Sequence, residues 1–330
     1  MNVDLSIWLM LGAVIAFLIV LDFVTVSRKP HDVMFKEAVF WSIFYIAIAV
    51  AFGVWVTREF GSTFGTEYFA AYLVEKSLSV DNLFVFVIIL TQFAVPSKFH
   101  QRILMIGVLL ALVMRGIFIA IGAAALESFA FTFVIFGAIL IWTGVKLYQH
   151  WDEDPDTDDN RMVRLVRRVM PVTDEFHEEK LFIKKAGKRY ATPMFLVIIA
   201  IASTDLLFAL DSIPATFGVT SEPFLVFSAN AFALLGLRAL YFLLKGLLDK
   251  LIYLSLGLAF ILIFIGIKLV MIYFHELYEW VPKISTNFSL IVIASILVIA
   301  TVASLLKSKK DPTAKAHAGR LTDSHDDSRS

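Results

Sequence analysis

Cysteine is absent from the 330 residues, which excludes disulfides, thiolate metal sites, iron–sulfur clusters and cysteine nucleophiles. Net charge is absent too: 29 Lys+Arg stand against 29 Asp+Glu, so the overall balance points neither to nucleic acid as a partner nor to adhesion on an anionic surface. Histidine is scarce. Its seven copies, His31, His100, His150, His177, His275, His317 and His325, all fall in expected loops, tails or span ends. A buried imidazole path for zinc or copper is therefore not expected, and any metal would be held by oxygen. What the chain has in excess is apolar side chains, 59% counting AVILMFWYC, where a soluble domain has roughly 45–50%.

Apolar runs of about 20 residues, enough to cross a bilayer, lie near 5–26, 38–57, 70–92, 102–125, 129–149, 192–214, 224–244, 251–274 and 286–306. None alternates as a strand would, so helices are expected rather than a barrel. The expected fold is an all-α polytopic membrane protein of about nine transmembrane helices. Lys and Arg are retained on the cytoplasmic side of short loops. Ten of them flank one set of connections, and only Arg58 and Lys283 flank the other. This predicts an N-terminus outside and a C-terminus in the cytoplasm. The first run follows Asp4 without a basic segment and reads as a retained span rather than a signal peptide. A bacterial plasma membrane is the simplest address.

The transmembrane domain is expected over 1–306, with a cytoplasmic linker at 150–191 and a disordered cytoplasmic tail at 307–330. The linker opens with an acidic run, Trp151 to Asp159, which lacks the Gly and Glu of a calcium loop and reads as solvated chain. It continues into a basic amphipathic stretch, Arg161 to Arg168. That stretch either lies along an anionic leaflet or is a plain surface helix.

Two stretches read alike. Glu75 is followed six residues later by Asp81-Asn82, and Asp205 six residues later by Asp211-Ser212. Downstream, Arg115 matches Arg238, and Trp142-Thr143-Gly144-Val145-Lys146-Leu147 matches Phe264-Ile265-Gly266-Ile267-Lys268-Leu269. Arg to Lys spans 31 residues in the first copy and 30 in the second. Spans three to five (about 70–149) and six to eight (about 192–274) thus form two three-helix repeats. The loop charges give them opposite orientation. Inverted repeats are characteristic of secondary transporters, whose site lies near the midplane where the repeats meet.

A carboxylate at a helix centre costs about 2.5–3.5 kcal/mol, so Glu75, Asp81, Asp205 and Asp211 require protonation, a cationic partner or a bound cation. Arg115, Arg238, Lys146 and Lys268 are the candidate ion-pair partners. Six residues rotate about 600° along a helix, so the two acids of one span do not share a face. Gathering them needs either both repeats or a broken helix, and Pro214 makes a break near Asp211 plausible. Carboxylates with Asn82 and Ser212 form an all-oxygen set. It suits manganese, magnesium, calcium, sodium or protons, without choosing among them. Asp22 reads as a solvated interfacial charge. Asn230 either lines the cavity or bridges helices.

Glu75-Lys76-Ser77-Leu78-Ser79-Val80-Asp81-Asn82, Phe208-Ala209-Leu210-Asp211-Ser212-Ile213-Pro214-Ala215 and Asn230-Ala231-Phe232-Ala233-Leu234-Leu235-Gly236-Leu237-Arg238 together resemble the TerC integral membrane family, in its Alx-like branch. The resemblance implies a multi-pass inner-membrane protein related to cation and amino-acid exporters, with manganese efflux the best-supported family activity. It maps the family's acidic motif positions onto Glu75, Asp81, Asn82, Asp205, Asp211 and Ser212. One departure is Ala202, where many members carry Glu. The leading expectation is export of Mn2+ in exchange for protons, so the partners are the cation, protons and the lipid bilayer. The alternatives are a membrane-protein assembly or scaffold factor and the handling of a tellurium oxyanion. No span presents a nucleophile with a nearby base or a cofactor motif, so neither an enzyme nor a permanently bound cofactor is expected.

Overall fold

The computed structural model describes residues 1, 3–27, 35–93, 95–151, 161–173, 180–185, 188–244, 251–278 and 280–311, and the side chains of most of these. The acidic run 152–159, the histidines at 31, 177, 317 and 325, and most of the expected tail lie outside the described residues.

The apolar runs fold as helices. In chain order they are α1 (Leu5–Ser27), α2 (Phe35–Phe60), α3 (Ser62–Gln92), α4 (Ser97–Ser128) and α5 (Thr132–Gln149). After the linker come α7 (Pro193–Phe217), α8 (Pro223–Leu235), α9 (Leu237–Leu244), α10 (Leu254–Leu277) and α11 (Thr286–Lys310). The linker itself holds α6 (Arg161–Val169) and a hairpin, β1 (Phe182–Lys185) against β2 (Lys188–Ala191). Sharp starts come from proline at the first helical position, where no partner for its missing N–H is needed: Pro193 after extended Thr192, and Pro223 after extended Glu222. Between α2 and α3 the chain turns at Gly61, whose φ of +98° a side chain would resist.

Among the described residues, seven helices are long and apolar enough to cross a membrane, and α8 with α9, bent by 41°, make an eighth. The fold is an all-α polytopic membrane bundle. The expected nine differs from this count by α3, which carries Glu67, Glu75, Lys76 and Asp81 and so is too charged to qualify by composition. Its 31 residues are nevertheless packed against α2, α7, α8 and α11. A second difference concerns Pro214. α7 runs unbroken through it to Phe217. Proline lies in the last turn, so the helix loses little beyond it, and Leu210, whose carbonyl loses a donor, is on the outer face. The break falls instead in the next span, at Gly236.

α5 and α10 form an especially close pair. A Cβ built on Gly144 would lie 2.9 Å from the Ala259 carbonyl oxygen and 2.7 Å from the Ile263 side chain. One built on Gly266 would lie 2.8 Å from the Gly137 carbonyl oxygen and 2.8 Å from the Ile141 side chain. A shift of 122 residues carries Gly137, Ile141 and Gly144 onto Ala259, Ile263 and Gly266, so the two contacts are equivalent to each other. Rising numbers on α5 meet falling numbers on α10, so the pair is antiparallel. A self-complementary antiparallel contact of this kind is what a two-fold axis between the helices would produce.

Candidate functional site

The inner face of α7 is set by helical spacing. Asp205, Phe208, Ala209, Ser212, Ile213 and Thr216 are buried, while Leu207 and Leu210 face outward. Asp211 falls between the two faces and is half-buried. Against this face packs α4, where Gly107 meets Ile201 and Gly122 meets Phe217 and Ile213. The two glycines bracket Arg115 and bring its level of α4 close to α7.

Arg115 is the hub. Its Nη1 donates to Glu75 Oε2 at 2.9 Å and to Ser212 Oγ at 3.2 Å. Its Nε and Nη2 donate to Asp205 Oδ2 at 3.2 Å and Oδ1 at 3.1 Å, a bidentate pair. With its amide oriented to satisfy both neighbours, Asn82 accepts from Arg115 Nη2 at 3.3 Å and donates to the Leu78 carbonyl at 3.0 Å. Arg115, Glu75 and Asp205 are each at most 1% exposed. Thr216 Oγ1 reaches Glu75 Oε1 at 2.8 Å and also its own helix at the Ser212 carbonyl, 2.8 Å. The polar positions expected to correspond, Glu75 with Asp205 and Asn82 with Ser212, therefore converge on one guanidinium. Formally this cluster carries two negative charges and one positive.

The other predicted residues distribute elsewhere. Asp211 turns away from Arg115 and accepts from Thr143 Oγ1 of α5 at 2.8 Å. Asp81 lies on α3, and its side chain is outside the described residues. Arg238, the expected counterpart of Arg115, pairs with none of Glu75, Asp205 and Asp211 among the described residues. Its Nη2 and Nε donate to Asp22 Oδ1 at 2.6 and 3.0 Å, and the Tyr45 hydroxyl donates to the same oxygen at 3.0 Å. Asp22 is thus a buried ion-pair member and not the solvated charge its place near a span end suggested. Lys146 Nζ lies 4.4 Å from the centroid of the Trp142 ring, whereas its expected counterpart Lys268 is buried. Asn230 is 1% exposed, and neither amide atom has a hydrogen-bond partner among the described residues.

Several participants were not singled out from the sequence. Glu67 accepts from Thr220 Oγ1 at 2.7 Å, in the first turns of α3, which lie before the expected span. Lys76, half-buried beside the motif acid, donates to the Ala233 carbonyl at 3.2 Å. It thereby places a cation at the C-terminal end of α8, where the helix dipole favours one. Thr143 lay within the matched span-five segment, so its side chain was a legible signal. Thr216 carried no pattern beyond its spacing from Ser212.

Residues 60–312 match the Integral membrane protein TerC family. An uncharacterized membrane protein of Myxococcus xanthus is 40% identical over 316 residues, covering 96% of this chain and 97% of the relative. One from Mycobacterium tuberculosis is 41% identical over 318 residues, covering 92% and 80%. A protein of Escherichia coli K12 named membrane-bound redox modulator Alx is 37% identical over 280 residues, covering 82% and 87%. No solved structure matches.

Proposed function

The chain belongs to the integral membrane protein TerC family, and on that premise we propose that it exports a divalent cation, Mn2+, from the bacterial cytoplasm in exchange for protons. The observation that carries the reading is the convergence of Glu75, Asp205, Asn82 and Ser212 on Arg115. Corresponding oxygen donors from two helices meet out of water at the middle of the bundle, which is where a secondary transporter places its site.

The helices contributing them run in opposite directions, because Glu67 pairs with Thr220 while Glu75, further along α3, pairs with Thr216. The antiparallel α5–α10 contact agrees. Both support two inverted repeats, α3–α5 and α7–α10. Counting α3 and the bent α8–α9 pair as spans makes nine, with the N-terminus outside and the C-terminus in the cytoplasm.

In the cycle we infer, Arg115 is the built-in counter-charge of the cation-free protein. A divalent cation that approaches Glu75 and Asp205 displaces the guanidinium and draws further oxygen from Asn82, Ser212, Asp211 and Asp81. Protons entering from the opposite side neutralise the carboxylates and release the cation, after which Arg115 returns. An oxyanion fits less well, since the guanidinium already faces two carboxylates. A redox role, as the name of the Escherichia coli relative states for that protein, would have to proceed here without any thiol on the chain. We further read the protein as a transporter and not an enzyme, with the metal as cargo.

The test is manganese efflux from cells or proteoliposomes. Asp81→Asn and Asp211→Asn, each shown to be inserted at wild-type level, are expected to abolish it. Export at the wild-type rate by both variants would refute the reading.

A further inference from the structure

Asn230 of α8 takes no part in the proposed cycle. It is 1% exposed, and among the described residues neither its Nδ2 nor its Oδ1 has a hydrogen-bond partner. An amide held in this way has lost the hydrogen bonds it makes in water and gained none, which is costly. Leucine would fill the same space without that cost. The amide is accounted for if a hydrogen-bonding group reaches it in another state of the protein.

Helix packing identifies that group. A Cβ built on Gly116 of α4 would lie 3.3 Å from the Phe227 ring of α8, and further along the Tyr241 hydroxyl of α9 lies 3.0 Å from His100 Nδ1. Rising numbers on α8 and α9 therefore meet falling numbers on α4. Val226 of α8 belongs to one apolar cluster with Ile119 of α4 and Ile213 and Phe217 of α7. Asn230 follows Val226 by four residues and Phe227 by three, so it shares their face, one turn nearer the His100–Tyr241 contact. Arg115 precedes Ile119 by four residues, which moves it one turn in the same direction. Asn230 and Arg115 thus underlie the same apolar cluster at the same level of the bundle, on facing helices. The guanidinium is committed to the other side, to Glu75, Asp205 and Ser212.

We propose that Asn230 is the second resting place of the Arg115 guanidinium, which turns to α8 and donates to Asn230 Oδ1 whenever Glu75 and Asp205 are engaged elsewhere. In the cycle above, on which this part rests, cation binding is what engages them. A neutral acceptor suits the role. It binds a guanidinium less tightly than a bidentate carboxylate does, so Arg115 returns to the acids once they are free.

Thermal midpoints of the full-length protein without added metal test the destination. Asn230→Leu alone is expected to leave the midpoint unchanged or raise it, because Arg115 keeps its carboxylates and an unpaired amide is removed. Asp205→Ala releases one side of the guanidinium, so adding Asn230→Leu to it should lower the midpoint. Adding Asn230→Asp instead should raise it, by returning a carboxylate to Arg115. Where Asp205→Ala does not fold, Glu75→Gln serves as the milder background. Mn2+ then tests the trigger: it should stabilise the wild-type protein, and Asn230→Leu should require on the order of tenfold more for the same shift, one hydrogen bond to a charged group having been lost. If Asn230→Leu acts identically with and without Asp205, the proposal is overturned even where Mn2+ binds, and the amide is assigned to packing or hydration. Coupling between Asn230 and Asp205 without any response of the wild type to Mn2+ supports Asn230 as the second partner of Arg115 and overturns the cation reading instead.

Discussion

Arg115 satisfies two buried carboxylates at once, so removing it strands both, whereas removing one acid leaves the other paired. Breaking a buried pair from one side costs about 3–5 kcal/mol. Arg115→Gln is therefore expected to lower the thermal midpoint and the yield of folded protein more than Asp205→Asn does, and the double variant should recover part of the loss. Thermal unfolding of the three variants in detergent checks this; simple additivity would mean that the pair is not coupled. Asp211 behaves differently, because its described partner is a neutral hydroxyl. Thr143→Val keeps the shape and removes the donor, a loss of about 1.5–3 kcal/mol for a bond to a charged group. Efflux by this variant should therefore weaken while the fold persists. A rate equal to the wild type would count against a role for Asp211 in the cycle. At this scale the sequence was informative about which residues matter, because charged side chains in apolar runs are rare and costly. It was silent on who pairs with whom: Asp22 and Arg238 are 216 residues apart, and only tertiary packing brings them together.

Most helix boundaries were legible because apolar length and flanking proline decide them locally, but α3 starts at Ser62 and not near 70, because Glu67 interrupts the apolar run there. The break was not, since Pro214 and Gly236 look equally disruptive and the outcome depends on whether the residue sits in a last turn or between two packed segments. The α5–α10 contact is a more exacting case. Gly144 and Gly266 occupy matched positions, and each would drive a Cβ into the backbone of the partner helix. Overpacking typically costs about 1–3 kcal/mol. Gly144→Ala and Gly266→Ala should both destabilise, and by similar amounts, because each contact repeats the other. Gly12, which would meet nothing within 4 Å, serves as the control: Gly12→Ala should be neutral or slightly stabilising. A large difference between Gly144→Ala and Gly266→Ala in unfolding midpoint would argue that the shared sequence does not reflect a shared packing role.

Across the whole molecule, contacts between distant segments report which helix ends lie on the same side. The Met1 amino group meets Glu222 at 2.6 Å, and Glu67 meets Thr220, so the starts of α1 and α3 lie with the α7–α8 connection. Asp22 with Arg238, and the Tyr253 N–H with Ser304 Oγ at 2.8 Å, place the ends of α1 and α11 with the α9–α10 connection. This grouping is the one that the Lys and Arg asymmetry predicts from entirely different residues, and it follows if every span, α3 included, crosses the membrane in alternation. The absence of cysteine makes the prediction direct to measure. Cysteine introduced singly at Glu59, Ala130 or Ser221, all exposed on the side assigned to the exterior, should react with an impermeant maleimide in intact cells. Cysteine at Lys309 should react only after permeabilisation. If α3 did not cross, Glu59 and Ala130 would report opposite sides, and the inverted repeats we propose would lose their basis.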